Sequence, residues 1–223
     1  MVTPELIANY RKKHADAPLI AYVNTYASVK ALADYIVTSS SALQLVNCLD
    51  AEKVLFTPDS NLALYIAKNS NKEVISIPPF GHCYVHMAIH PDDINKIRAA
   101  YPAVEILAHP ETSPEVQDLA DFVGSTSQML RRAKISNSKI IAMATDRDIV
   151  HRARKENSEK QIIPVSENVF CLFMKRINLK KILDSLIKKE YVVDVDRSVA
   201  EKVRKILFNT FEVLGLGARP WKK

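Results

Sequence analysis

IAYVNTYASVKALADYIVTSS, running from Ile20 to Ser40, returns in altered form as LAHPETSPEVQDLADFVGSTS from Leu107 to Ser127, an offset of 87 residues. In this alignment Ala21 meets Ala108, Tyr22 meets His109 and Asn24 meets Glu111. Leu32-Ala33-Asp34 meets Leu119-Ala120-Asp121, and Thr38-Ser39-Ser40 meets Ser125-Thr126-Ser127. Downstream, Asp59 meets Asp146, Leu62 meets Ile149 and Lys68 meets Lys155, while Cys83 meets Cys171 one residue out of step. A repeat of this length is a domain-sized unit, and similar domains that face each other bind their ligand between them.

Each copy alternates short apolar runs with helical patterns. Leu19 to Asn24 reads as a buried strand and Ser28 as the N-cap of a helix VKALADYIV. Lys53 to Thr57 is a strand, Asp59 caps NLALYIAK, and Val74 to Ile77 is a strand closed by Pro78-Pro79. In the second copy Val104 to Ala108 is a strand, and Ser113-Pro114-Glu115 opens a helix VQDLADFV. Ser125 caps SQMLRRAK, Lys139 to Met143 is a strand, Asp146 caps a helix to Lys155, and Gln161 to Val165 is a strand. Leu179 to Leu214 holds two helices around a strand-like YVVDV. The expected fold is α/β: two similar three-layer α/β/α domains with parallel sheets, over residues 1–104 and 105–190, then a C-terminal helix and basic tail over 191–223.

A chain of 223 residues with 48% hydrophobic content can bury two such cores. No apolar run approaches membrane-spanning length and no secretory leader stands at Met1, which points to a cytoplasmic protein with no membrane partner. Three cysteines at long spacing, Cys48, Cys83 and Cys171, make no disulfide framework. The net charge of +6 suits anionic ligands, and the basic residues are spread over solvated helical faces without interleaved aromatics, so nucleic acid is an unlikely partner.

In parallel sheets ligands sit beyond the carboxyl ends of the strands. Tyr22, Asn24, His109 and Glu111 fall there, as do Thr38-Ser39 and Ser125-Thr126, whose hydroxyls beside helix N-termini suit carboxylate or phosphate. Each has a plainer reading too. His109 before Pro110 could be a turn residue bonded to backbone, and Cys83 and Cys171 could be small buried hydrophobes rather than ligands. Cys48 after the apolar LQLV reads as core filler.

YVNT, VKALADYIVTSS, VLFTPDSNLALYIAK, GHCYVH, the HPE at His109, DLADFVGSTSQML, HRARKEN and the CxxMK from Cys171 together resemble quinolinate synthase, from about Thr3 to Leu214. The resemblance implies a fold of three similar α/β/α domains in pseudo-threefold arrangement around one [4Fe-4S] cluster, each giving one cysteine. The implied reaction condenses iminoaspartate with dihydroxyacetone phosphate to quinolinate, the precursor of the NAD ring. By the same resemblance Cys83 and Cys171 are cluster ligands, and Tyr22, His109 and Glu111 are catalytic, the last two moving protons. Asn24, Ser39, Ser125 and Thr126 bind substrate, and Met174 lies close to the cluster.

Only the family's second and third domains align, so the third cluster cysteine is expected from a separate chain supplying the first domain. Leu172-Phe173 stands where the family has Pro-Asn, Ala144-Thr145-Asp146 where it has Gly-Thr-Glu, and Tyr26 where it has a small residue. Three outcomes remain open: a split synthase, a shortened paralogue that binds ligand or assists assembly without a cluster, and a mononuclear metal such as zinc on Cys83, Cys171 and His109.

Overall fold

A computed structural model describes residues 2–217, so the basic tail from Arg219 lies outside the described residues. The chain forms two sheets of four parallel strands, ordered β2-β1-β3-β4 and β6-β5-β7-β8. The first unit runs α1 (Pro4–Lys13), β1 (Leu19–Tyr22), α2 (Ala27–Lys30), β2 (Tyr35–Val37), α3 (Ala42–Cys48), β3 (Lys53–Thr57), α4 (Ser60–Lys68), β4 (Glu73–Ser76) and α5 (Tyr84–Met87). The second runs α6 (Pro91–Ala100), β5 (Glu105–Ala108), α7 (Pro114–Asp118), β6 (Phe122–Val123), α8 (Thr126–Ile135), β7 (Ile140–Ala144), α9 (Ile149–Glu156) and β8 (Gln161–Pro164). A 3-10 turn at Met174–Arg176, α10 (Leu179–Lys188) and α11 (Arg197–Val213) follow.

The apolar runs account for the strand order. LIAY of β1 and EILA of β5 are buried at every position, as central parallel strands covered on both faces must be, whereas the edge strands β4 and β6 are only part-buried. Apolar clusters fill both faces of each sheet, giving the expected three layers.

One local device recurs at the amino end of both sheets. Asp34 Oδ2 accepts from Leu19 N at 2.7 Å and from the Arg11 guanidinium at 2.6 Å, and Arg11 also donates to Leu32 O. Asp121 Oδ2 accepts from Ile106 N at 2.8 Å and from Arg98 at 3.1 Å, and Arg98 donates to Leu119 O. All four residue pairs are related by the 87-residue offset.

That device also explains a correction. VKALADYIV and VQDLADFV are not single helices: α2 stops at Lys30 and α7 at Asp118, and YIV and FV become edge strands paired with β1 and β5. The aspartate in each LAD turns the chain by bonding across to the start of the central strand, and the β-branched residues beyond it complete the sheet. Tyr26 rather than Ser28 stands at the N-cap of α2. YVVDV forms no strand, with Tyr191 in the left-handed region at φ 61°.

Val85 and Ile89, together with Ile94 and Ile97 of α6, join the core around Ile106, so the segment linking the two sheets packs with the second. The C-terminal helix α11 returns to the first sheet, where Thr210 Oγ1 accepts from the edge amide of Ile36 at 3.0 Å and donates to Ile206 O. This covers the edge of β2. Among the described residues no helix is long and apolar enough to cross a membrane.

Candidate active site between the two units

A cavity of about 630 Å³ opens at the carboxyl ends of β1 and β3, where the strand order reverses. Tyr22, Asn24, Asp59, Gly81, Cys83 and Tyr84 of the first unit line it, with Glu111 and Phe173 from the second. Another cavity, of about 580 Å³, lies near Arg11, Asp34 and Asn209 at the opposite end of the sheet, where the charged groups are already engaged in the repeated ion pair.

The loop after β4 brings Cys83 into the cavity through two bonds. Gly81 O accepts from Ser60 N at 2.6 Å, and Asp59 Oδ2 accepts from Cys83 N at 3.1 Å while Asp59 Oδ1 caps α4 by accepting from Leu62 N. The loop after β8 uses the same bonds: Val169 O accepts from Arg147 N at 2.9 Å and Asp146 Oδ2 from Cys171 N at 2.7 Å. Asp146 is thus the anchor of the cysteine loop and not the cap of α9, whose N-cap is Asp148 without a side-chain bond. The one-residue slip between the cysteines arises before β8, since Lys53 pairs with Glu73 and Ile140 with Gln161.

His86, one turn beyond Cys83, is buried against the second unit. Its Nε2 lies 2.9 Å from Thr145 Oγ1, and its ring stacks on His109 with centroids 4.5 Å apart. Nδ1 lies 3.0 Å from Glu111 Oε2 as an ion pair, with Cys83 beside the ring. His109 Nδ1 accepts from Glu111 N at 3.3 Å, which leaves its proton on Nε2. Asn61 Nδ2 donates to Glu111 O at 3.0 Å and fixes the turn from the first unit.

These contacts set the charges. Burial pushes Asp59 up to about 7, with the nearby Glu111 charge adding to it. Burial works against protonating His86, but Cys83 and Glu111 outweigh it and push its pKa up to about 9. His109 falls to about 3 through burial and the charge of His86, so it is neutral at pH 7. Burial favours the neutral form of Glu111, yet His86 holds its carboxyl below the ordinary value. Burial and the Glu111 charge raise Tyr22, whose hydroxyl accepts from Asn24 Nδ2 at 3.1 Å. Tyr84, its hydroxyl 3.5 Å from Cys171 Sγ, lowers the pKa of that thiol.

Of the residues expected at the site, Tyr22, Asn24, Cys83 and Glu111 line one cavity, and His109 stands behind Glu111. Ser39 lies beside the Tyr22 hydroxyl, and Cys171 reaches the cavity's edge through Tyr84. Ser125 is spent as the N-cap of α8, donating to Gln128 Oε1 at 2.8 Å and accepting from Gln128 N, and Thr126 is exposed on that helix. Met174 is 66% exposed, and Cys48 is exposed at the end of α3 rather than filling the core. His86 and Thr145 carried no sequence signal beyond their places in family-like strings, and Asp59 was legible only as a cap.

Two metal-binding sets are possible. Cys83 and Cys171 sit in matching loops, as two thiolates of an iron–sulfur site would, but such a site takes three or four and the remaining cysteine, Cys48, is at the far end of α3. The described residues therefore fit part of a cluster's ligand set. Separately, Cys83 Sγ and one atom each of His86 and Glu111 lie within 4.8 Å of one another. The histidine beside Cys83 is thus His86, in place of the His109 expected in a zinc set.

A family model described as quinolinate synthetase A protein matches residues 1–212. The chain is 40% identical over 213 residues to quinolinate synthase of Pyrococcus abyssi, covering 96% of this chain and 71% of that protein. It is 41% identical to that of Methanocaldococcus jannaschii over 92% of this chain and 68% of the relative, and 37% identical to that of Thermotoga maritima over 96% and 71%. With the repeated α/β units and the cavity between them, these matches establish that the chain belongs to the quinolinate synthase family.

Proposed function

We propose that this chain supplies two of the three sides of a quinolinate synthase active site in NAD biosynthesis, condensing iminoaspartate with dihydroxyacetone phosphate. The observation that carries this reading is the convergence of Tyr22, Asn24, Cys83 and Glu111, from two units, on one cavity at the strand ends. Asn24, with its amide on the Tyr22 hydroxyl, and Ser39 are placed to hold substrate carboxylate or phosphate. Glu111, ionised beside His86, is a proton acceptor lining the cavity, and neutral His109 behind it keeps its turn in place through the Glu111 amide. Thr126 and Met174, both exposed, reach substrate or cluster only if a further unit closes over them.

Cys83 and Cys171 would hold a [4Fe-4S] cluster together with a third thiolate from a segment outside these 223 residues, acting as a partner domain. When bound, a cluster with one iron free of thiolate supplies a Lewis acid to a substrate oxygen or nitrogen. Leu172, Phe173 and Met174 are each more than 60% exposed around Cys171, as expected of a surface that such a domain covers. The setting is cytoplasmic, where thiols stay reduced.

The test is anaerobic isolation of the full chain with the polypeptides that accompany it, followed by iron and sulfide assay and measurement of quinolinate formation. About four irons per chain and product formation, both lost in Cys83→Ser and in Cys171→Ser, are expected. Iron-free protein whose metal content and activity are unaffected by either substitution would overturn the reading in favour of a ligand-binding paralogue.

A further inference from the structure

In the turn that carries Glu111, four successive carbonyls each accept from a side chain. His109 O accepts from Thr112 Oγ1 at 2.8 Å, Pro110 O from Gln117 Nε2 at 2.9 Å, Glu111 O from Asn61 Nδ2 at 3.0 Å and Thr112 O from Gln117 Nε2 at 2.8 Å. Burial explains why these carbonyls are paired, since His109, Glu111, Thr112 and Gln117 are each at most 6% exposed. It does not explain the arrangement. Pro110 O and Glu111 O belong to the two peptide planes that flank the Glu111 Cα. The first plane is held at both edges, by Gln117 at its oxygen and by His109 Nδ1 at the Glu111 amide. With both planes fixed, the φ and ψ of Glu111 are fixed, and with them the direction of its Cα–Cβ bond.

The repeat adds a second observation. Gln117 stands 87 residues after Lys30, and Pro110 stands 87 after Val23. Lys30 Nζ donates to Val23 O at 3.2 Å, in the turn between Tyr22 and Asn24. Two side chains of different chemistry thus reach the same carbonyl from the same place on the short helix after the central strand. In each unit that carbonyl lies between the two site residues of the turn. Gln117 does more than Lys30: it is buried, and it holds Thr112 O as well.

We propose that Gln117 is a positioning residue that fixes the direction in which the Glu111 carboxylate enters the cavity between the units. That Glu111 then accepts a proton rests on the synthase reading, whereas the aiming rests on the turn itself. A side chain that positions another must itself be fixed, and α7 is held at both ends. Ser113 Oγ caps it by accepting from Val116 N at 3.4 Å, and Arg98 donates to Leu119 O at 2.9 Å just past its last residue. Without the Gln117 amide two buried carbonyls lose their donor, and the turn rotates toward other partners. A displacement of about 1 Å at a reacting group is enough to slow a reaction roughly 100-fold.

Gln117→Glu and Gln117→Met keep the length of the side chain and remove its donors. Asn157→Leu is the control, because Asn157, 2% exposed, also donates from a buried amide to a carbonyl, Ala153 O at 2.8 Å, but at the end of α9. Circular dichroism checks that each full chain is folded. In hydrogen exchange followed by NMR, the Glu111 and Thr112 amides of both Gln117 variants are expected to exchange about 10-fold faster relative to Ile106 and Leu107 of β5. Asn157→Leu keeps the parent ratio. In the quinolinate-forming assembly, kcat of the Gln117 variants is expected to fall roughly 10- to 100-fold with KM within about 2-fold, and Asn157→Leu keeps the parent kcat. Gln117→Asn, too short to reach both carbonyls, keeps an amide in place and is read if the other two do not fold. Unchanged relative exchange at Glu111 and Thr112 overturns the proposal, as does a parent-like kcat or a loss confined to KM. An equal loss in Asn157→Leu also overturns it, since the effect would then be one of general stability. An assembly that forms no quinolinate with the parent chain counts against the synthase reading instead, and the exchange rates then decide the role of Gln117.

Discussion

Three residues after the cysteine of the first loop stands His86, 8% exposed; three after the cysteine of the second stands Met174, 66% exposed. The two loops are anchored by the same aspartate-to-cysteine amide bond and the same amide-to-carbonyl bond. Their contrast therefore does not come from how each loop is made. The first unit presents its loop to the strand ends of the second, where Glu111, His109 and Thr145 receive His86. The second unit's loop meets the first unit only at Tyr84, through the edge of Phe173 and the Cys171 thiol, and leaves Met174 exposed among the described residues. The units thus meet head to tail, and a head-to-tail contact between like units leaves one complementary surface open at each end.

The sharpest way to break that comparison is truncation of the two corresponding side chains. His86→Ala removes the stack on His109 and leaves Glu111 as a buried carboxylate without its counter-charge, so urea denaturation of the metal-free chain is expected to show a loss of about 3 kcal/mol. Met174→Ala, on the exposed turn, is expected to stay within about 0.5 kcal/mol. Equal losses would mean that the second loop is also covered, for instance by a second copy of the chain.

Gly81 and Val169 make the next contrast, since each gives the carbonyl that accepts from the amide just after the anchoring aspartate, Ser60 N and Arg147 N. A Cβ on Gly81 would lie 2.0 Å from Pro58 O, so the first loop approaches the backbone more closely than any side chain allows. Gly81→Ala is expected to cost about 2 kcal/mol and to weaken metal binding by displacing Cys83. Val169, buried in its own core, shows that the second loop has the room. Val169→Ala should therefore destabilise by a smaller packing loss of about 1 kcal/mol.

Where the units are alike, the expected effects are alike. Asp34→Ala and Asp121→Ala each strip a central-strand amide and an arginine of their acceptor. Each is expected to cost about 1–2 kcal/mol, and the two values should agree within about 0.5 kcal/mol, measured by the same denaturation. A large difference would show that the repeat is geometric but not energetic.

The sequence was most legible where it repeats. The 87-residue offset carried both sheets, the central strands and the cysteine loops, because apolar runs and paired polar residues are local signals. It misread YIV and FV as helical, since short apolar runs fit either period and only the bond from Asp34 or Asp121 to the neighbouring strand decides between them. His86 stayed hidden for a different reason: its role depends on Glu111 and Thr145 across the unit interface, and nothing within the first unit marks it. Ser125 was misplaced because a hydroxyl at a helix N-terminus suits a cap as well as an anion, and here the capping box with Gln128 takes it.

The smallest expected effect lies in the two helices that follow the repeats. On α11, Thr210 is 1% exposed and closes the edge of β2, whereas α10 buries no residue, although Leu179, Leu183, Leu186 and Ile187 recur at helical spacing and are exposed by half or more. Thr210→Val orphans the Ile36 amide and is expected to cost about 1–2 kcal/mol. Leu186→Gln should change the unfolding free energy of the isolated chain by less than about 0.5 kcal/mol, since it removes no buried contact. A loss of 1 kcal/mol or more in that variant would show that α10 is covered in solution by another copy, and its dependence on protein concentration would confirm it. A neutral result leaves α10, directly after the exposed Cys171 loop, as unpaired apolar surface on the side where the head-to-tail series is open.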